Sequence, residues 1–182
     1  MENVGKSLWV FDRVHSQIRF EAKYLLLSII AGSFLEFEGS VEVDEQLPIH
    51  SEISFKIYSN SISTGNTERD NHLRSADFFD VKKFPAITFA STSIEDQGQD
   101  KVVHGLLLIK DVQKPISLVI RFLGTARDEH NNFKAAFHFE KTISRNEFHV
   151  SWNKNIVNDL VLIDDPIKII GDIQLLRVGS KL

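Results

Sequence analysis

Apolar and polar residues alternate with a period of two along most of this chain, and that pattern constrains the fold more than any other feature. Ile18, Phe20 and Ala22 stand between Gln17, Arg19, Glu21 and Lys23. Leu35, Phe37, Gly39, Val41 and Val43 share one parity against Glu36, Glu38, Ser40, Glu42 and Asp44, with Phe34 the exception on the polar side. Ile53, Phe55 and Ile57 repeat the pattern, and Ile87 and Phe89 flank Thr88. So do Ile116, Leu118, Ile120 and Phe122, then Ala135, Phe137 and Phe139, then Ile167, Ile169, Gly171, Ile173 and Leu175. Successive strand side chains point to opposite faces, so each segment reads as a half-buried antiparallel strand. Residues 102–109 are apolar on both parities, which suits a strand covered on both faces.

Eight strands are expected, at residues 8–23 (with a break), 32–44, 51–58, 86–94, 101–110, 114–125, 132–143 and 160–178. Strands this long, each with one apolar face, must bury those faces together as a sandwich or a closed barrel. Closure also removes exposed edges, and eight strands enclose room for packed side chains or one small ligand. The exceptions to the pattern are short. A turn of helix is expected at residues 23–31, a helix at 67–75 and a single turn at 144–147. The helix at 67–75 opens on Thr67-x-x-Asp70, a capping-box pattern with Asp in place of Glu. Residues 96–100 (DQGQD) and 128–132 (DEHNN) read as hairpin loops, and 154–159 as a longer connection. With no repeat and no linker, residues 1–182 form one domain.

Composition narrows the chemistry. The 14 Phe, against 2 Trp, 2 Tyr and 1 Met, imply a greasy interior, since Phe buries a large surface with no polar handle. A net charge of −4 without a basic stripe argues against nucleic acid. The absence of Cys excludes disulfides and thiolate chemistry. The longest apolar run, residues 24–31, is far short of the roughly 20 residues of a membrane span. The N-terminal residues have no signal-peptide pattern. A cytoplasmic location without stable membrane insertion is therefore expected. The seven His, at 15, 50, 72, 104, 130, 138 and 149, have no metal-ligand spacing, so no metal and no cofactor are expected. His15 and Ser16 are adjacent and point to opposite faces of a strand, so they cannot act as a base–nucleophile pair. Without a nucleophile elbow or phosphate loop, no catalytic residue is assigned.

Two candidate sites remain. The interior face carries Phe20, Phe37, Phe55, Ile57, Phe89, Leu106, Leu108, Leu118 and Phe137, which either line an apolar tunnel or interdigitate and fill the barrel. Glu68, Arg69, Asp70, His72, Arg74 and Asp77 form a charged cluster in which Asp70 and Arg74 are spaced to pair on a helix. It reads as a structural network sealing one barrel end, or as a site where Arg69, His72 or Arg74 meets the polar head of a ligand.

The motifs resemble one family. Trp9, Asp12, His15-Ser16, Ile18 and Phe20, then Gly32, Phe34, Phe37 and Gly39, carry the opening. Ser61-Ile62, Thr64-Gly65, Arg69-Asp70, His72-Leu73-Arg74-Ser75, Asp77-Phe78-Phe79-Asp80, Phe84-Pro85 and Thr88-Phe89 are the most specific part. Gly105, Lys114-Pro115, Arg145 and Phe148 follow. Over about residues 8–177 the chain resembles the YceI-like family, lipocalin-like polyisoprenoid-binding proteins. Tyr24, Gln113 and His149 depart from the family pattern, which often has His, Thr and Gly there. The resemblance implies an all-β, extended eight-stranded antiparallel lipocalin-like barrel with one or two short helices around an elongated apolar tunnel. It also implies a non-enzymatic carrier that transports, stores or sequesters an isoprenoid chain of polyprenyl or quinone type, or another long-chain lipid. Homodimers occur in the family. The alternatives are an enzyme acting on a lipid-like substrate in the cavity, and a solid barrel serving as a stress-related interaction protein.

Overall fold

The alternation predicted from the sequence becomes a closed antiparallel barrel in the computed structural model, which describes residues 5–25, 27–153 and 162–179. Three of the eight strand positions are broken in two. β1 (Lys6–Phe11) and β2 (Gln17–Tyr24) form the first, and β3 (Ser28–Phe34) and β4 (Phe37–Asp44) the second. β5 (Glu52–Tyr58) and β6 (Ile62–Ser63) form the third. β7 (Ala86–Gln97), β8 (Asp100–Ile109), β9 (Val112–Arg127), β10 (Phe133–Ser144) and β11 (Ile163–Arg177) follow. The ring runs β1-β4-β5-β7-β8-β9-β10-β11 and closes where β11 returns to β1. β11 is long enough for two neighbours: Leu175 and Arg177 face Phe11 and Trp9, while its earlier residues pair with β2 as far as Asp172↔Gln17.

Phenylalanine rings lie over glycines in the interior. A Cβ at Gly171 would stand 2.1 Å from Phe139 Cε1, and one at Gly105 would stand 2.4 Å from Phe89 Cζ. Only a residue without a side chain lets those rings lie flat on the neighbouring strand. Phe55 stacks on Phe89 with centroids 5.1 Å apart, and at the β1 end Trp9 packs against Phe133 at 5.5 Å.

α1 (Thr67–Arg74) and the chain after it close the other end. β3 reaches β6 only at Ser33↔Ser63 and Phe34↔Ile62, so its first residues have no ladder on that side. Phe79, beyond α1, packs edge-on against Phe34 there.

Four local expectations are corrected. Residues 23–31 are not a turn of helix. Leu25 turns the chain through a left-handed conformation (φ 53°), and Tyr24↔Ser28 to Ile18↔Phe34 pair as a hairpin. The β-branched Ile29 and Ile30 favour that strand. The parity assigned to Leu35 also fails: the chain breaks at residues 35–36, so Phe34 and Phe37 both turn inward and Leu35 is 65% exposed. The helix is capped by Asn66 rather than Thr67, its Oδ1 accepting the Arg69 N–H at 2.9 Å. Asp70 and Arg74 do not pair, because each is held by the segment before the helix, as detailed below. The predicted connection at 154–159 lies outside the described residues. Among those described, no helix is long and apolar enough to cross a membrane.

Candidate ligand-binding cavity

A cavity of about 460 Å³ lies inside the α1 end of the barrel. Its wall mixes aromatic and aliphatic side chains. β2 and β3 supply Phe20, Ala22, Tyr24, Ile30 and Phe34, and β10 and β11 supply Ile143, Ile163, Ile167 and Ile169. Leu73 of α1 and Phe78 and Phe79 after it form the cover. Phe148, Val150 and Trp152 come from the turn that follows β10. A volume of this size with an apolar lining matches small-molecule sites, which run from about 300 to 1,000 Å³.

Most polar side chains at the cavity are occupied in holding its walls. Arg145 is 5% exposed. Its guanidinium donates to the carbonyl oxygens of Val150 (2.6 Å), Trp152 (2.9 Å), Asp164 (2.9 Å) and Ile163 (3.2 Å). It therefore clasps the turn after β10 to the start of β11. Burial pushes the Arg145 guanidinium down from its ordinary value, and Asp165 and Asp164 act against that. Arg69 donates from Nε to Thr64 Oγ1 at 2.7 Å and from Nη2 to Thr64 O at 3.0 Å. The buried Asp70 carboxylate accepts from the Thr64 N–H at 2.8 Å and from its hydroxyl. His72 Nε2 lies 2.8 Å from Asp77 Oδ2, and its ring meets Trp152 and Phe78 edge-on at 4.6 and 5.0 Å. Lys23 and Glu68 complete the charged lining.

These positions divide the residues assigned from sequence. Of the nine interior residues, Phe20 lines the cavity. Phe37, Ile57, Phe89 and Leu118 are buried in the filled part of the barrel, and Phe55 and Phe137 pack against it. Leu106 and Leu108 stand on the opposite parity to the buried Val103, Leu107 and Ile109, so their assignment to the interior is corrected. Residues 102–109 are apolar on both parities, and nothing local sets the phase. Phe89↔Leu107 pairing does. Among the described residues, this cavity lies at the α1 end, away from the buried Phe37, Phe89 and Leu118.

Of the polar candidates, Arg69 and His72 reach the cavity. Arg74 does not: it donates to the carbonyls of Asn60 and Ile62 at 2.8 and 2.7 Å, pinning α1 to the strand before it. Arg145, Phe148, Val150 and Trp152 escaped the sequence reading of the site because they lie in a turn, where no period reveals which side chains face inward. Of the departures from the family pattern, Tyr24 lines the cavity. His149 adopts a left-handed φ of 56°, the conformation Gly takes most easily. Among the described residues, no three His, Asp or Glu side chains gather as a metal cluster.

Comparison with known proteins agrees with this architecture. The family model described as a YceI-like domain matches residues 9–175. A UPF0312 protein of Pectobacterium carotovorum is 37% identical over 137 residues, which cover 75% of this chain and 71% of that protein. The crystal structure of Burkholderia cenocepacia BcnA superposes with a TM-score of 0.78 at 21% identity, covering 90% of this chain and 98% of that one. A polyisoprenoid binding domain from Saccharophagus degradans, implicated in plant cell wall breakdown, superposes with a TM-score of 0.67 at 14% identity, covering 92% and 97%. A domain match across nearly the whole barrel, with a relative of this identity, shows that the chain belongs to the YceI-like family.

Proposed function

We propose that the protein binds a long apolar ligand, an isoprenoid chain of polyprenyl or quinone type, in the cavity at the α1 end, and carries or sequesters it. The observation that carries this reading is the contrast inside one barrel. Phe89 over Gly105 and Phe139 over Gly171 pack one part of the interior, while the α1 end keeps about 460 Å³ walled by aliphatic and aromatic side chains. Burial of hydrocarbon supplies the affinity. At about 0.8 kcal/mol per CH₂, each five-carbon unit contributes about 4 kcal/mol before ordering costs. The Saccharophagus degradans domain of the same fold, named for polyisoprenoid binding, points the same way.

Binding is favoured over catalysis because three of the polar groups at the cavity are held in structural contacts. Arg145 is clasped by four carbonyls, Arg69 by Thr64, and His72 by Asp77. Arg69 and His72 are the two of the three head-group candidates that remain at the cavity. The test is native mass spectrometry of protein purified without detergent. A co-purifying isoprenoid is expected, and Ala22→Leu, which fills the wall between Ile30 and Ile167, should abolish it. Protein that is empty and also refuses added isoprenoids would refute the reading.

A further inference from the structure

The barrel wall has a seam without a ladder. β9 and β10 pair from Phe133↔Arg127 to Phe139↔Ile120 and then part. Beyond that point Val112–Val119 of β9 pairs with β8 alone, and Glu140–Ser144 of β10 with β11 alone. Pro115, which has no N–H to offer, lies in this stretch of β9. Between the parted strands is a second space of about 550 Å³.

Among the described residues, two cations line this cleft. On β9 the inward parity runs Val112, Lys114, Ile116, Leu118 and Ile120. On β10 it runs Ala135, Phe137, Phe139, Lys141 and Ile143. Lys114 and Lys141 are therefore the residues that break two otherwise apolar inward rows, and they break them opposite the same gap. Both are half-buried and line it. Lys114 Nζ lies 3.2 Å from Glu147 Oε2, the one acidic side chain of the described lining. Lys141 has no ion pair among the described residues. His104, hydrogen-bonded to Ser117 at 2.8 Å and to Glu95 at 3.1 Å, forms the outer rim. An ammonium on an inward position is costly unless an anion meets it.

Ile143 and Phe148 line both this cleft and the apolar cavity, so two side chains stand between them. We propose that the seam is the subsite for the phosphate-type anionic head of an amphipathic ligand whose chain lies in the cavity, with Lys141 and Lys114 as its cations. The inference rests on the apolar-chain reading given above. It moves the head group from Arg69 and His72 of α1 to the wall between β9 and β10. Elsewhere a chain passing through the wall would break ladder hydrogen bonds, whereas here there are none between β9 and β10 to break.

Isothermal titration with farnesyl phosphate, farnesol and inorganic phosphate tests this in the full chain. The wild type should prefer farnesyl phosphate over farnesol by roughly tenfold or more, as charge-assisted hydrogen bonds predict. Lys141→Met and Lys114→Met keep the stem length at apolar-parity positions, so the barrel should fold, as circular dichroism would report. Each should erase most of that preference and leave farnesol affinity unchanged. A preference that survives in both variants overturns the proposal, and so does a wild type that binds inorganic phosphate as tightly as farnesyl phosphate. Farnesol unbound by the wild type is a different failure, since it removes the cavity reading itself without reference to the lysines.

Discussion

The two ends of this barrel share one wall and one sequence pattern, yet one is filled and the other is hollow. In the filled part, aromatic rings lie on glycines and on each other: Phe139 over Gly171, Phe89 over Gly105 and against Phe55. At the α1 end the inward rows present Ala22, Ile30, Ile143 and Ile169 beside Phe20 and Phe34, and the strands stop meeting at β3. A helix and a turn cover what the ladder leaves open, and buried polar contacts hold that cover in place. Alternation specifies a wall, while the strand pairing and the side chains that meet across the interior decide whether it encloses a packed core or a site.

Mutations at the two ends should separate them. The largest effect is expected from Phe89→Ala. It should cost about 3–5 kcal/mol in denaturant unfolding, since a nearly sealed ring leaves a cavity. Leu73→Ala at the hollow end should cost about 2 kcal/mol, the low end for a buried leucine, because space already adjoins it. Equal losses at the two positions would erase the distinction. Arg145→Met should cost about 3 kcal/mol by stranding its four carbonyls, with the near-ultraviolet signal of Trp152 altered.

Added bulk sharpens the contrast at a smaller scale. Gly171→Ala should lose about 1–3 kcal/mol, because its Cβ would sit 2.1 Å from Phe139 Cε1. Ala22→Leu, pointing into open space, should stay within about 1 kcal/mol of the parent while displacing ligand.

The smallest effect belongs to the β9–β10 hairpin, far from the cavity. The Asn132 side chain donates to Asp128, and that bond outweighs burial. With the N–H groups of Asn132 and His130 and the Lys134 ammonium, it holds the Asp128 carboxyl down to about 2 from 3.8. A depressed carboxyl stabilises the fold fully above its unfolded value and loses that contribution as pH falls through its folded value. Asp128→Asn should therefore flatten stability between about pH 4 and pH 2 and leave it unaltered in slope near neutrality. Lys134 also bonds Asp12, where burial pushes the carboxyl up but Lys134 and His15 together hold it below the usual range. That pair should retain part of the acid sensitivity in the variant.

The barrel wall is legible in the sequence alone. Seven alternating rows and one row apolar on both sides are read directly as eight antiparallel strand positions, because side-chain direction in a strand is a local property with period two. The hairpin loops at residues 96–100 and 128–132 were equally legible from their turn chemistry. Tertiary structure alone decided the rest. The phase of β8 came from Phe89↔Leu107, so Leu106 and Leu108 faced out. The break at residues 35–36 turned Phe34 and Phe37 inward together. The cavity, the Arg145 clasp and the unpaired β9–β10 seam arise where chain segments distant in sequence meet or part. Period and propensity are short-ranged, whereas closure, register and empty volume depend on which distant residues oppose each other.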